Sequence, residues 1–144
     1  MSPCALILVV GGTVSFWAVA ASGFALDSWL KRNAMKPPDR YRMTLHKEAL
    51  FSCFLCFAMA GWTHLLPGTE ALHAAVAACI VWTGWGAIGQ YTLTVRAGVT
   101  NAYADTIPPG VRFFGRTTML ANLAALAGLT ALVGWALLEA VRAT

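Results

Sequence analysis

Arg40, Arg42, His46, Lys47 and Glu48 fall within one run of nine residues, and Gln90, Tyr91, Arg96, Arg112 and Arg116 follow at two later places in the chain. Guanidinium groups hold carboxylates and phosphates through paired N–H donors. Brought together, these side chains would form a cationic pocket with a single carboxylate, Glu48. Such a pocket suits an anionic small molecule or a lipid phosphate. A plainer use of the same charges is anchoring at the headgroup level of a membrane. The expected site is therefore a binding set, Arg40, Arg42, Glu48, Tyr91, Arg96, Arg112 and Arg116, with no catalytic and no metal-ligating residue.

Other patterns carry less chemistry. Gly84-Trp85-Gly86-Ala87-Ile88-Gly89 matches G-x-G-x-x-G, but a dinucleotide site needs a strand before the glycines and a helix opening on them. Here the motif falls inside an apolar run, where glycines serve close packing. Cys53 and Cys56 form a C-x-x-C; quinone-linked disulfide generators pair such a motif with a second cysteine pair on a loop. All four cysteines, with Cys4 and Cys79, lie in apolar stretches, which predicts buried thiols and no disulfide framework. His64 and His73 flank Pro67-Gly68, near the edge of the apolar runs rather than deep between them as a bis-histidine haem requires. No clustered histidines suggest a di-iron centre, and no ladder of intramembrane charges suggests a transport path. Gln90 and Asn122 are the main amides inside the runs, and are expected to bond between helices.

The elements that must position these residues are four long apolar stretches. Hydrophobic residues make up 58% of the 144 positions and charged ones 11%, against roughly 25% charged in soluble domains. Nine of the ten Lys and Arg residues fall in residues 27–48 and 92–116, and the tenth is Arg142. Basic connections stay on the cytoplasmic or matrix side of a membrane. The net charge of +4 thus speaks for orientation and anionic headgroups, and acidic residues interrupt the basic ones too often for a nucleic-acid face. Spans are expected at about residues 4–26, 49–66, 71–95 and 118–141, each near the 20 residues a crossing helix needs. The first lacks a basic leader and is too long for a signal core, so it reads as a retained span. Pro37-Pro38 marks residues 31–42 as a loop. Pro67-Gly68-Thr69 predicts a tight hairpin between spans two and three, with Thr69 capping the third and Glu70 in its first turn. Residues 111–116 read as an outward extension of span four, after a long connection containing Asn101, Tyr103, Asp105 and Pro108-Pro109-Gly110.

Layout and some local sequence resemble the MAPEG family, the membrane-associated proteins of eicosanoid and glutathione metabolism. The local likeness lies in Glu48-Ala49-Leu50-Phe51, Phe57-Ala58-Met59-Ala60-Gly61-Trp62 and Val111-Arg112-Phe113-Phe114. Family members carry R-x-x-x-N-x-x-E before span two. With Glu48 as the acid, Leu45 takes the Asn position and Tyr41 the Arg position, and Arg40 and Arg42 are each one residue away. In the family's R-x-x-Y-x-x-x-Y, Tyr91 takes the first Tyr, Ile88 replaces the Arg and Val95 the second Tyr. The resemblance implies trimers of four-helix subunits that bind glutathione through Arg and Tyr side chains and hold its thiolate.

The expectations are accordingly an all-α, single-domain integral membrane protein over residues 1–144, an antiparallel four-helix bundle with both charged loops on one cytoplasmic or matrix side and the termini opposite. The expected role is a non-catalytic accessory or scaffold subunit of a larger membrane assembly, with no cofactor. Its partners would be anionic lipid headgroups and other membrane subunits or a homotrimer, not nucleic acid. Small-residue faces, Ala121, Ala125 and Gly128 on span four and Gly84, Gly86 and Gly89 on span three, are expected to meet partners or lipid. The alternative is a glutathione-dependent transferase or peroxidase acting on lipophilic substrates, with glutathione as cofactor.

Overall fold

The computed structural model describes residues 2–33, 38–62, 65–99 and 107–143. Among these residues the regular structure is all helical: α1 (Pro3–Arg32), α2 (Arg40–Trp62), α3 (Glu70–Arg96) and α4 (Pro109–Arg142). Each is long and apolar enough to cross a membrane. The expectations for Lys36, Pro37, His64, Asn101, Tyr103 and Asp105 lie outside the described residues.

Local chemistry sets the helix starts. Ser2 accepts the amide N–H of Ala5 at 3.2 Å and Pro3 follows as the first helical residue, a position where a missing N–H costs nothing. Asp39 accepts the backbone N–H of Arg42 at 2.9 Å, capping α2. Thr69 caps α3 as expected, taking the N–H of Leu72 at 3.3 Å with Glu70 in the first turn. Between α2 and α3 the chain turns through Gly68, whose φ of +132° strains any residue with a Cβ.

Three boundaries differ from expectation. α1 continues to Arg32, and α2 begins at Arg40 rather than near 49 and closes at Trp62; α4 begins at Pro109, taking in residues 111–116 as the expected outward extension of span four. Only residues between α1 and α2 remain of the expected 31–42 loop. An apolar run measures the thickness of hydrocarbon to be crossed, whereas the helix runs on wherever polar residues favour it. Lys31 pairs with Asp27 at 2.7 Å one turn back, and Arg42 with Asp39 at 2.7 Å. At 1.5 Å per residue α4 is roughly 50 Å long, well beyond a hydrocarbon core of about 30 Å.

Packing centres on α3. It meets α1, α2 and α4; α1 also meets α2, while α4 approaches no other helix closely. Glycine makes these approaches possible. A Cβ on Gly11 of α1 would strike Val81, one on Gly84 would strike Ser52 of α2, and one on Gly86 would strike Thr118 of α4. Gly128 of α4 lies equally tight against Val76, and Ala125 is buried. The small residues expected to serve partners are thus largely used inside the chain. Trp85 donates its indole N–H to the carbonyl of Gly11 at 3.3 Å, tying α3 to the glycine of α1.

The interior has two chemically distinct ends. Near the Gly68 turn it is apolar, a cluster around Cys4, Leu8, Cys56, Val76, Ala77 and Leu132. Toward the basic segments it becomes polar: Ser15 and Ser52 share a buried hydroxyl hydrogen bond of 3.1 Å, and Ser22 Oγ lies 3.0 Å from His46 Nδ1.

Candidate functional site

The first turns of α2 and the last turns of α3 form the layer where the sequence places its chemistry. The Arg42 Nε–H donates to Asp39 Oδ2 at 2.7 Å, and its guanidinium stands 5.8 Å from the centroid of the Trp29 ring on α1. Asp39 therefore both caps α2 and holds Arg42 over an aromatic face, an arrangement that steadies a cation. One residue away, Tyr41 stacks on Tyr91 of α3, with centroids 6.2 Å apart and planes at 29°. That stack joins the two helices and separates two pockets.

The outer pocket, about 230 Å³, is lined by Asp39, Arg40, Tyr41 and Arg42 of α2 and by Thr94, Val95, Gly98 and Val99 at the end of α3. Two guanidinium groups face one carboxylate here, and that carboxylate is bonded to one of them. The inner pocket, about 220 Å³, lies among α2, α3 and α4. Its polar lining is Glu48 and Ser52 from α2, Thr83, Gln90 and Tyr91 from α3, and Thr118 and Asn122 from α4. Phe51, Leu55, Ile80 and Ala87 supply its apolar surface.

The expected residues thus divide. Arg40 and Arg42 share the outer pocket, while Glu48 and Tyr91 share the inner one. Arg96, Arg112 and Arg116 are exposed and line neither. One chain does not gather the basic residues around Glu48. His46 is turned to Ser22, and His73 lies 3.1 Å through Nε2 from the carbonyl of Pro67. Cys4, Cys53 and Cys56 are buried free thiols, and Cys79 is half-buried.

Sequence reasoning missed Ser52, Thr83 and Thr118. Two of these have plain local tasks: Ser52 bonds Ser15, and Thr83 donates to the carbonyl of Cys79 at 2.9 Å. Thr118 is different. Its hydroxyl oxygen is buried without a hydrogen-bond partner, although buried polar groups are almost always paired. The signal for Ser52 and Thr118 was the glycine motif, since Gly84 faces Ser52 and Gly86 faces Thr118. Glycines that admit a neighbouring helix also admit whatever side chain that helix carries.

No protein-family model, curated protein or solved structure matches this chain.

Proposed function

We propose that this is an integral membrane protein whose helices cross the bilayer as an antiparallel four-helix bundle. Both basic segments would lie on the cytoplasmic or matrix side, and the chain would act as a non-catalytic accessory subunit of a larger membrane assembly. Contact pairs support the helix directions: Gly12, Ser15 and Ser22 of α1 meet Phe57, Ser52 and His46 of α2 in reverse order. Gly86, Gly89 and Gly110 likewise pair with Thr118, Phe114 and Leu93 across α3 and α4.

The observation that carries the subunit reading is the isolation of α4. Among the helices it approaches α3 alone, with Leu132 also reaching the Gly68 turn, and away from that seam it exposes Ala124, Ala127 and Ala131 near Gly134, where an added Cβ meets nothing. Small residues on an open helix edge let another membrane helix approach closely. Arg96, Arg112 and Arg116 are exposed where anionic headgroups would sit, in keeping with lipid contact. The glutathione-dependent reading, and the MAPEG likeness behind it, has less behind it in a single chain, because Arg40 and Arg42 line a different pocket from Glu48 and Tyr91.

Native mass measurement after extraction in mild detergent tests the proposal. Stoichiometric association with other membrane chains, crosslinked through a cysteine placed at Ala127, is the expected result. Isolation as a lone homotrimer would overturn the accessory role.

A further inference from the structure

We infer that the inner pocket is a binding cleft for a lipophilic amine: an amphiphile with a protonated amine head and a hydrocarbon tail. The cleft is floored by α3 and walled by α2 and α4. Because those two walls do not approach one another, its mouth opens between them, on the side where lipid would lie. A hydrocarbon-borne ligand enters such a mouth without passing through water.

The lining selects the head. Among the described residues Glu48 is the one carboxylate lining the cleft, and no described Lys, Arg or His lines it. Among the described residues the ion pairs are Lys31–Asp27 and Arg42–Asp39, and none of them involves Glu48. A carboxylate at a span's edge is costly unless it is paired or hydrated. Near it the amide of Gln90 also lines the cleft, and Asn122 of α4 lines it further along. An ammonium group satisfies the carboxylate and donates to the Gln90 amide oxygen. A phosphate or carboxylate head would meet Glu48 as a like charge.

The same lining selects the tail. Leu55 lies two turns beyond Glu48 on α2, roughly 10 Å deeper, and Ile80 of α3 lines the cleft with it. The charged end therefore faces the basic side, and the deeper end, where Asn122 is the one amide among mostly apolar side chains, faces the middle of the span. A volume of about 220 Å³ is enough for the head and the first part of a tail. This site does not depend on the accessory role, since a chain isolated as a lone trimer would still carry the cleft.

The test uses the full chain in phosphatidylcholine nanodiscs, titrated with dodecylamine, dodecanol and dodecanoate. Thermal unfolding and native mass spectrometry are the readouts. Dodecylamine is expected to raise the melting temperature and remain bound, the other two to do neither. Glu48→Gln should weaken dodecylamine binding at least tenfold. Equal binding of dodecanol or dodecanoate, or unchanged dodecylamine binding by Glu48→Gln, overturns the proposal. Should Glu48→Gln fail to fold, Leu55→Trp decides: filling the deep end should abolish dodecylamine binding and spare butylamine, and unaltered dodecylamine binding would overturn it.

Discussion

The hydroxyls of Ser15 and Ser52 meet at 3.1 Å between α1 and α2, and Ser52 at the same time fills the space that Gly84 of α3 leaves open. One small side chain thus bonds one helix and admits another. Ser52→Ala is expected to cost only about 0.6 kcal/mol, the usual scale of an interhelical bond in a membrane, because the Ser15 hydroxyl can turn to a backbone carbonyl of its own helix. Ser52→Leu should be far worse, forcing α2 away from α3. Reversible unfolding in mixed micelles measures both.

Glycine positions should separate into two classes. Gly84→Ala and Gly86→Ala drive a methyl group into Ser52 and Thr118, and are expected to destabilise the chain by about 1–3 kcal/mol, the usual cost of overpacking. Gly134→Ala meets open space and should leave the isolated chain's melting temperature unchanged. Gly134→Leu should also spare the fold while reducing association with partner chains, as native mass would show. Loss of fold in Gly134→Leu would sink the view that this edge of α4 is unoccupied within the chain.

Asp39 should matter through its cap. Asp39→Ala removes the acceptor for the Arg42 N–H and the partner of its guanidinium, at an expected cost of about 1 kcal/mol. Asp39→Asn retains the cap and should recover most of that loss, since the ion pair is partly exposed and such pairs contribute little. Equal loss in both variants would show the charge, not the cap, to be what counts. Thermal melts at two salt concentrations distinguish these outcomes.

Topology is open to direct chemical labelling. In a variant lacking the native cysteines, single cysteines at Lys31 and Arg116 are expected to react with a membrane-impermeant maleimide from the same side. Cysteines at Ser2 and Ala143 should react from the other. Labelling of residues 31 and 116 from opposite sides would break the antiparallel arrangement.

The four helices were legible because each is a long apolar run of the length a membrane crossing needs. Their ends were not, since Arg40 through Lys47 extend α2 without being apolar. Within the site, Glu48, Gln90, Tyr91 and Asn122 were visible as polar residues at or inside the runs. Which of them share a pocket depends on helix rotation. In a soluble helix an amphipathic stripe reveals that rotation; here apolar side chains stand on both faces, so Phe51 and Phe54 are exposed while Cys53 and Cys56 between and beyond them are buried. Nothing in residue polarity distinguishes the two faces. Arg40 and Arg42 were accordingly assigned to one pocket with Glu48, from which the Tyr41–Tyr91 stack divides them.

The single seam between α3 and α4 also bears on the order of assembly. As the chain emerges from the ribosome, α1, α2 and α3 are free to make all of one another's contacts before α4 has left it. The first three helices are expected to settle as a unit, leaving Gly86 and Gly89 as a vacant track until the last helix arrives. A released chain ending at residue 108 should therefore already protect the Trp85 indole N–H, bonded to the Gly11 carbonyl, from hydrogen exchange, and α4 would then join a structure that is already formed.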